Sequence, residues 1–302
     1  MNELRKAVLL SLALLLIVMT GDRLLSAILR QTVVRSRFRF SAALRSGDGA
    51  DVIVLGDSRA VTSVYVPEVE RLTGLRTFSL AYNGMPTIVA EALLADYLDR
   101  NRPPRLAIIE VTCVVESRAF VSEIRTFGDL SPRLETLYAE EHPTAARVGT
   151  LLTLLRFNSE LFLRTLYYMR RSDQDWANWS AMSPRDAPRP DARAAWALTA
   201  QTENLAALER MIRLLQSKNA EVRLLIGPYF PEYAAESNLG AFASLIAEHA
   251  HRVDPKLAVW NYSSAVPGPS HYADVIHLNG SGAKELATLM QRDGFFVVHD
   301  TP

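Results

Sequence analysis

From residue 51 onward, short runs of aliphatic residues alternate with longer segments of helical periodicity. This alternation is typical of a parallel β-sheet whose two faces are covered by helices. Strands are predicted at residues 52–55, 77–80, 106–109, 222–226 and 257–260. Helices between and after them are predicted at residues 66–72, 87–100, 192–218, 240–252 and 282–292. The sequence therefore predicts an α/β fold, a three-layer αβα sandwich built on a parallel sheet.

Residues 116–190 interrupt this alternation between the third and fourth predicted strands. They contain two helical candidates, 132–140 and 150–170, followed by a loop rich in Trp, Pro and Arg. The second candidate carries many leucines, and we interpret its broad apolar surface as core packing rather than as a lipid or substrate face. We predict that the whole segment is a helical insertion that forms a cap.

The N-terminus begins with Arg5 and Lys6, followed by residues 7–19, an apolar run that Ser11 alone interrupts. A charged region before an apolar region is typical of a secretory signal. Residues 18–21 lack the small side chains of a cleavage site, so we predict an uncleaved membrane anchor, with the rest of the chain on the extracytoplasmic, periplasmic side. A buried helix of a cytosolic protein is the alternative, which the apolar character of every helix face disfavours.

The amino-acid composition limits the classes of binding partner that we expect. The 33 Lys and Arg residues balance 33 Asp and Glu residues, so the formal net charge is zero and gives no reason to expect a nucleic-acid partner. The single cysteine, Cys113, excludes an intramolecular disulfide, and its apolar neighbours predict a small buried side chain. We expect no cofactor.

Two short motifs, far apart in the sequence, supply a serine, a histidine and an aspartate. Gly56-Asp57-Ser58 follows the first predicted strand, and Asp274-x-x-His277 lies shortly before the last predicted helix. A serine hydroxyl becomes an effective nucleophile when a base takes its proton, and a carboxylate fixes the tautomer of a histidine base. An aspartate three residues before a histidine can reach one imidazole nitrogen while the other faces the serine. The motifs thus predict a triad of Ser58, His277 and Asp274.

Asn83 and Gly84 follow the second predicted strand. Because the carboxyl ends of parallel strands meet at one edge of a sheet, we expect these residues to lie near Ser58. The N–H groups of Ser58 and Gly84, with the Asn83 amide as a further candidate, can stabilise a developing oxyanion. The alternative is that Asn-Gly and Gly-Asp-Ser only form turns.

Other polar residues leave alternatives open. His271 is a rival base, but it lacks a carboxylate at useful spacing on its N-terminal side. His271, Asp274 and His277 also have the regular spacing of three metal ligands, although we predict no metal. Arg59 either holds an anionic substrate group or is solvated. Three residues at the end of the third strand carry no distinguishing pattern: Glu110, Thr112 and Glu116.

Taken in chain order, Gly56-Asp57-Ser58, Asn83-Gly84 and Asp274-x-x-His277 resemble motifs of the SGNH or GDSL hydrolase superfamily, and the match spans about residues 51–292. The resemblance implies that Ser58 is the nucleophile, that Asp274 and His277 complete the triad, and that the Gly84 N–H joins the oxyanion hole. The family usually has Gly-x-Asn-Asp after the third strand, and residues 109–113 depart from it. Either Asn83 replaces the missing asparagine, or backbone groups build the hole, or activity is narrowed or lost.

The N-terminal anchor, Ser58-Arg59-Ala60 and residues 226–229 also resemble an exported subgroup that includes polysaccharide O-acetylation factors working beside membrane-bound O-acyltransferases. This resemblance implies acylated carbohydrate as the substrate and a membrane-bound O-acyltransferase as a partner. Trp176 and Trp179 suit stacking against sugars.

These observations predict a signal anchor and juxtamembrane segment at residues 1–45 and an SGNH-like catalytic domain at residues 46–302, with the insertion at 116–190. The predicted activity is that of a serine ester hydrolase or O-acyltransferase at the cell envelope. One alternative is a non-catalytic scaffold that assists a membrane-bound O-acyltransferase. Another is a lipid-acting esterase whose leucine-rich insertion helix enters the bilayer.

Overall fold

The computed structural model describes residues 2–183, 196–235 and 237–299. The chain folds into two compact units. The helical unit consists of Met1–Leu44 and Val121–Ser172, and the α/β unit consists of Arg45–Phe120 and Asp173–Pro302. Residues 121–172, most of the predicted insertion, therefore belong to the same unit as the N-terminal segment. Residues 184–190 of that insertion lie outside the described part of the chain.

The α-helices of the described residues are α1 (Asn2–Arg35), α2 (Arg39–Ala43), α3 (Ser58–Ser63), α4 (Val66–Thr73), α5 (Thr87–Arg100), α6 (Pro132–Glu141), α7 (Pro143–Leu151), α8 (Glu160–Tyr167), α9 (Thr202–Gln216), α10 (Pro231–Ala234), α11 (Leu239–His251) and α12 (Gly280–Arg292). 3-10 helices of the described residues lie at Val111–Val115, Arg118–Leu130, Thr153–Phe157 and Pro269–His271.

Within the described residues of the α/β unit, five parallel strands form one sheet in the order β2-β1-β3-β4-β5. The strands are β1 (Val52–Leu55), β2 (Thr77–Ser79), β3 (Leu106–Glu110), β4 (Glu221–Ile226) and β5 (Val259–Asn261). Strand β1 pairs with β2 on one side and β3 on the other, so that Val52 lies opposite Thr77 and Leu106. The predicted α/β fold with a parallel sheet is confirmed. The strand predicted at 52–55 is observed with the same bounds, and the other four differ from the observed strands only at their ends.

Both faces of the central strands are buried. Successive side chains of a strand point to opposite faces, and Val52, Ile53, Val54 and Leu55 are all fully buried. The face of Val52 and Val54 packs with residues of α3, α4 and α12 in one apolar cluster. Helix α9 packs against both α5 and α11, and α9 and α11 also contact the sheet. Apolar runs without polar alternation are the consequence of this two-sided burial.

The helix predicted at residues 192–218 is shorter than expected. Residues 192–195 lie outside the described chain, and the helix begins at Thr202. Before it, Trp196 stacks on Tyr233 at 4.7 Å and donates an Nε1–H bond to the Tyr233 carbonyl oxygen. The Leu198 N–H donates to the Asn238 side chain at 2.8 Å. These side-chain contacts hold residues 196–201 in a non-helical conformation that periodicity does not reveal.

The prediction of one helix over residues 150–170 is wrong. Helix α7 ends at Leu151, and the N–H groups of Thr153 and Leu154 donate to the carboxylate of Asp22 at 2.9 and 3.0 Å instead of continuing the helix. Helix α8 starts anew, with Ser159 accepting a hydrogen bond from the Phe162 N–H at 3.1 Å. The helix is therefore interrupted by the hydrogen bonds to Asp22, which is distant in sequence, and by the N-cap at Ser159, although the spacing of the leucines is helical.

The interpretation of the insertion leucines as core is correct for only part of them. Leu161 is fully buried, but Leu151 and Leu155 are 63% and 49% exposed. Helix α1 is exposed along its apolar length as well, from Leu4 to Ile28. Among the described residues, α1 is the one helix long and apolar enough to cross a membrane. The helical unit thus presents apolar surface that its own fold does not cover.

Candidate active site

Ser58 stands on a turn between β1 and α3. Gly56 makes this turn with φ +140°, and a Cβ atom there would lie 2.8 Å from the Ala60 Cβ, so the position requires glycine. The Asp57 side chain accepts a hydrogen bond from the Arg59 N–H at 2.8 Å and caps α3. The turn presents the partly buried Ser58 at the carboxyl end of β1.

Ser58, His277 and Asp274 form one hydrogen-bonded chain. The His277 Nε2 atom lies 2.8 Å from the Ser58 Oγ atom. On the other side of the ring, Nδ1 lies 2.8 Å from Oδ2 and 3.1 Å from Oδ1 of Asp274. The structure therefore brings together the three side chains that the two sequence motifs single out.

The segment that carries His277 is held by its own backbone. Tyr272 and Leu278 form an antiparallel bridge, and the Ala273 N–H donates to the His277 carbonyl oxygen at 2.9 Å. The Asp274 Oδ1 atom accepts from the N–H groups of Ile276 and His277, both at 2.9 Å. This closed loop explains the three-residue spacing, because one carboxylate both folds the turn and contacts the imidazole.

Asp274 is more solvated than a buried triad aspartate, since its side chain is 54% exposed. Its partial burial opposes ionisation, but the hydrogen bonds from His277 and from the Ile276 N–H outweigh that effect and hold the pKa of Asp274 below its ordinary value. The carboxylate is accordingly ionised at neutral pH and can accept a hydrogen bond from Nδ1 of His277, an arrangement in which Nε2 of a neutral imidazole accepts from the Ser58 hydroxyl.

Asn83 and Gly84 lie beside the Ser58 turn. The chain after β2 continues along β1, with the Tyr82 N–H donating to the Gly56 carbonyl oxygen at 3.2 Å. A turn follows, closed by the Met85 N–H on the Tyr82 carbonyl oxygen, with Gly84 at φ +67°. Asn83 is exposed at this turn. The structure thus places both residues at the predicted sheet edge, and their oxyanion-hole roles stay a prediction.

Arg59 is neither solvated nor free to hold a substrate group, so both expectations for it are wrong. It is 4% exposed, and its guanidinium donates to the carbonyl oxygens of Gly227, Pro228 and Ile276 at 2.5, 3.1 and 2.7 Å. It lies 3.4 Å from the centroid of the Tyr229 ring. Its bond to Ile276 ties the helix of Ser58 to the loop of His277.

Beneath Ser58 lies a buried polar cluster that sequence reasoning did not identify as such. Glu110, fully buried, lies 3.4 Å from the Nε atom of Arg59 and accepts from the Gly227 N–H at 3.2 Å. Thr112 donates its hydroxyl to Glu110 at 2.5 Å and lies 3.3 Å from the Asp57 carboxyl. These residues lie at the end of β3 and directly after it, and they support the turn of Ser58.

Two carboxyl groups of this cluster are shifted toward the neutral form. Burial, reinforced by the negative charge of Glu110, raises the pKa of Asp57 well above its ordinary value. Burial likewise raises the pKa of Glu116, although its hydrogen bond with Asp57 works in the opposite direction. Asp57 therefore retains a proton at pH values where an exposed aspartate is ionised. The one signal in the sequence was the presence of the polar residues Glu110 and Thr112 within an otherwise apolar segment at the end of β3.

The rival assignments find no support in the geometry. The Nδ1 atom of His271 lies 2.7 Å from the Pro267 carbonyl oxygen. In the part of the chain that the structure describes, no group of three His, Cys, Asp or Glu side chains could hold a metal ion. Cys113 is buried, and burial raises the pKa of its thiol well above the ordinary value, as expected of an unreactive side chain.

No family model matches the chain, and no curated protein matches it. Among solved structures, a GDSL-like lipase from Bacteroides thetaiotaomicron is 12% identical, with a TM-score of 0.37 over 80% of this chain and 86% of the lipase. A protein from Bacteroides fragilis, provisionally described as an acylhydrolase, is 12% identical, with a TM-score of 0.38 over 82% of this chain and 88% of that one.

A third structure, from Streptococcus pneumonia and provisionally described as a platelet activating factor, is 13% identical. Its TM-score is 0.42 over 96% of this chain and 98% of that one. At these identities and TM-scores, the likeness carries neither an activity nor a substrate to this chain.

Proposed function

We propose that this protein is a membrane-anchored serine esterase or O-acyltransferase of the SGNH type. The observation that carries the proposal is the imidazole of His277, which lies 2.8 Å from both the Ser58 hydroxyl and the Asp274 carboxylate. A neutral imidazole in this position takes the hydroxyl proton as the serine attacks, and the carboxylate stabilises the imidazolium that forms.

The reaction proceeds in two halves. The Ser58 oxygen attacks the ester carbonyl carbon while His277 accepts its proton, and the tetrahedral intermediate then expels the alcohol, which leaves with that proton. The acyl group is now bonded to the Ser58 oxygen. In the second half, His277 deprotonates water or a second hydroxyl, which attacks the acyl carbon and releases Ser58 with its proton restored. Water gives hydrolysis, and a sugar hydroxyl gives acyl transfer.

The developing oxyanion needs hydrogen-bond donors at the same edge of the sheet. The N–H groups of Ser58 and Gly84 and the amide of Asn83 are the donors that we assign to it. The positive φ of Gly84 and the exposure of Asn83 support this assignment, because both leave polar groups at the turn open to a ligand. The buried cluster of Glu110 and Thr112 supplies no donor to this hole in our assignment, since its hydrogen bonds stay within the cluster.

Acylated carbohydrate is the substrate class that we assign to the site. Trp179 is 55% exposed and packs against Gly280, three residues beyond His277. Its indole also meets the Tyr65 ring edge-on at 5.9 Å, so it lies near the end of α3 as well as near the triad loop. An exposed indole beside a reactive serine suits the apolar face of a sugar ring.

Anchoring by α1 on the extracytoplasmic side of a membrane completes the proposal. Its support is the exposed apolar length of α1. In this setting a membrane-bound O-acyltransferase is the proposed partner, supplying the acyl group that Ser58 transfers.

A fluorophosphonate probe tests the proposed nucleophile in the full chain. We expect the probe to label Ser58 and the label to disappear in Ser58→Ala. Ser63→Ala is the matched control, because Ser63 is a buried serine on the same short helix and its removal should leave labelling unchanged. Absence of labelling in the correctly folded wild type would overturn the enzyme proposal in favour of the scaffold alternative.

Trp179→Ala tests the carbohydrate class separately. We expect KM for an acetylated oligosaccharide to rise about tenfold, while turnover of p-nitrophenyl acetate, which is too small to need the indole, stays unchanged. Equal effects on both substrates, or none on either, would contradict the carbohydrate assignment and leave the triad proposal intact.

A further inference from the structure

The helical unit contains a cavity of about 380 Å³. One wall is formed by α1 and the opposite wall by the segments around Asp129, Thr150 and Arg156. Three arginines and one carboxylate line it, so the lining carries an excess of positive charge: Arg23, Arg30, Arg156 and Asp129. Such a lining favours an anionic ligand.

The three arginines differ in how fully they are neutralised. Arg156 makes a two-pronged contact with the Glu135 carboxylate at 2.6 and 2.8 Å. Arg23 lies 3.8 Å from Asp22, donates to the Thr150 and Leu151 carbonyl oxygens at 2.8 and 3.2 Å, and also donates to the Thr153 hydroxyl. Arg30 instead makes a long hydrogen bond, 3.4 Å, to the backbone carbonyl oxygen of Asp129. Arg30 therefore retains most of its capacity to pair with an incoming anion.

A buried hydroxyl provides an independent observation. Ser26 lines the same cavity, is 5% exposed, and its Oγ atom has no hydrogen-bond partner among the described residues. Buried polar atoms are nearly always hydrogen-bonded, because leaving one unpaired is costly. An acceptor oxygen bound in the cavity would satisfy this hydroxyl.

The cavity lies beyond the continuous apolar run of α1. Residues 7–18 are exposed and, except for Ser11, apolar, and Arg23 follows about 8 Å further along the helix axis at 1.5 Å per residue. On the proposed membrane anchoring, Arg23 lies at the level of the headgroups, and Arg30 lines the same cavity from a position about 10 Å further along the helix. Leu151, Leu152 and Leu155, adjacent in the chain to cavity residues, are exposed and suited to acyl chains.

We propose that this cavity binds the phosphate of an anionic phospholipid. In this proposal, Arg30 and Arg23 pair with the phosphate oxygens, the Ser26 hydroxyl donates to one of them, and the exposed leucines contact the acyl chains. The proposal rests on the membrane anchoring proposed above and is independent of the chemistry of Ser58.

Native mass spectrometry of the full chain in detergent, supplemented with dioleoylphosphatidylglycerol or dioleoylphosphatidylcholine, tests this site. We expect one phosphatidylglycerol per chain, bound about tenfold more tightly than phosphatidylcholine. Arg30→Gln should weaken phosphatidylglycerol binding about tenfold, because a charge-assisted pair is lost. Arg35→Gln is the matched control, since Arg35 lies on the same helix, is exposed and does not line the cavity. Ser26→Ala should weaken binding several-fold.

Any of three results would overturn the proposal. The first is equal phosphatidylglycerol binding by Arg30→Gln and Arg35→Gln, and the second is equal retention of the two lipids. The third is displacement of phosphatidylglycerol by millimolar inorganic phosphate, which would identify a site for free phosphate. Thermal unfolding of each variant without lipid separates loss of the site from loss of the fold. Carbonate extraction reports the membrane anchoring and fluorophosphonate labelling of Ser58 reports the proposed catalysis, so failure of either is recognised separately.

Discussion

The two sides of Ser58 contrast sharply. Asp57 and Arg59, its neighbours in the chain, are 2% and 4% exposed and belong to a buried polar cluster with Glu110. The partners of Ser58 in the proposed triad are more exposed, with the His277 and Asp274 side chains 22% and 54% exposed. One turn of chain thus separates the proposed triad from a buried polar cluster. Neighbouring residues of one turn therefore have different roles: Ser58 belongs to the proposed reactive site, while Asp57 and Arg59 stabilise the structure beneath it.

Substitutions on the two sides of Ser58 should differ in their effect on the free energy of unfolding. A charge removed from the buried cluster leaves its partner uncompensated in a poorly solvated place, which costs stability. A side chain removed from the proposed triad leaves groups that water can satisfy, so we expect the fold to be barely affected while the proposed catalysis is lost. Activity and stability therefore change independently on the two sides, and the following variants test this separation.

His277→Gln should produce the largest effect. We expect kcat/KM for p-nitrophenyl acetate to fall about 10⁴-fold, because Ser58 loses its base, while the unfolding midpoint stays near that of the wild type. His271→Gln is the matched control on the same segment and should retain nearly full activity. If His271→Gln were the inactive variant, the base would be misassigned.

Asp274→Asn should lower kcat about 10³-fold, because the amide no longer fixes the His277 tautomer or stabilises the imidazolium. The backbone bonds that fold the loop can still form, since the amide oxygen accepts from the Ile276 and His277 N–H groups. Steady-state kinetics with circular dichroism measures both consequences. If Asp274→Asn unfolds the loop and lowers the stability of the protein, the main role of Asp274 is structural.

Arg59→Met should mainly affect stability, by about 3–5 kcal/mol, because it leaves the buried Glu110 carboxylate without its cation and three carbonyl oxygens without a donor. Denaturant unfolding measures this. Arg292→Met is the control, since Arg292 is exposed and pairs with the exposed side of Asp293, and little change is expected. If the two substitutions changed the free energy of unfolding by similar amounts, the proposed difference between buried and solvated charges would be contradicted.

Asn83→Ala should lower kcat about 10²-fold with KM unchanged, if its amide donates to the oxyanion as proposed. The exposed position of Asn83 predicts an unchanged unfolding midpoint. Parallel measurement of kcat, KM and thermal unfolding makes the test. An unaltered kcat would assign the hole to the N–H groups of Ser58 and Gly84 alone.

Asp57→Asn should have the smallest effect, about 1 kcal/mol in stability, and a distinctive pH dependence. The folded pKa of Asp57 is raised, so the folded protein keeps a proton that the unfolded chain has released. The stability of the wild type should therefore fall as pH rises from the ordinary carboxyl pKa through the raised folded value. Asparagine does not titrate and can still cap α3.

Unfolding midpoints of both proteins, measured from about pH 5 to about pH 8, should give a flatter profile for Asp57→Asn. Parallel profiles would show that Asp57 does not hold the proton assigned to it.

Much of the α/β unit was accessible from sequence, because buried parallel strands must be uniformly apolar and are bounded by turn residues. The strands at 52–55 and 106–109 and the helix at 87–100 were predicted closely for this reason. The helix predicted at 150–170 failed because Asp22, far away in the chain, captures two backbone N–H groups there. Local periodicity contains no information about a partner that is distant in sequence.

The residue types of the proposed triad, and the edge of the sheet at which they meet, follow from the amino-acid sequence, since the order of strands and helices fixes the carboxyl edge and the Asp-x-x-His spacing is local. What lies beneath this edge depends on the tertiary structure. Strand β1 pairs with β3, and this pairing puts Glu110 beside the Ser58 turn, where Arg59 turns inward to meet it. Burial of these charges depends on neighbours brought together from across the chain, which no short motif encodes.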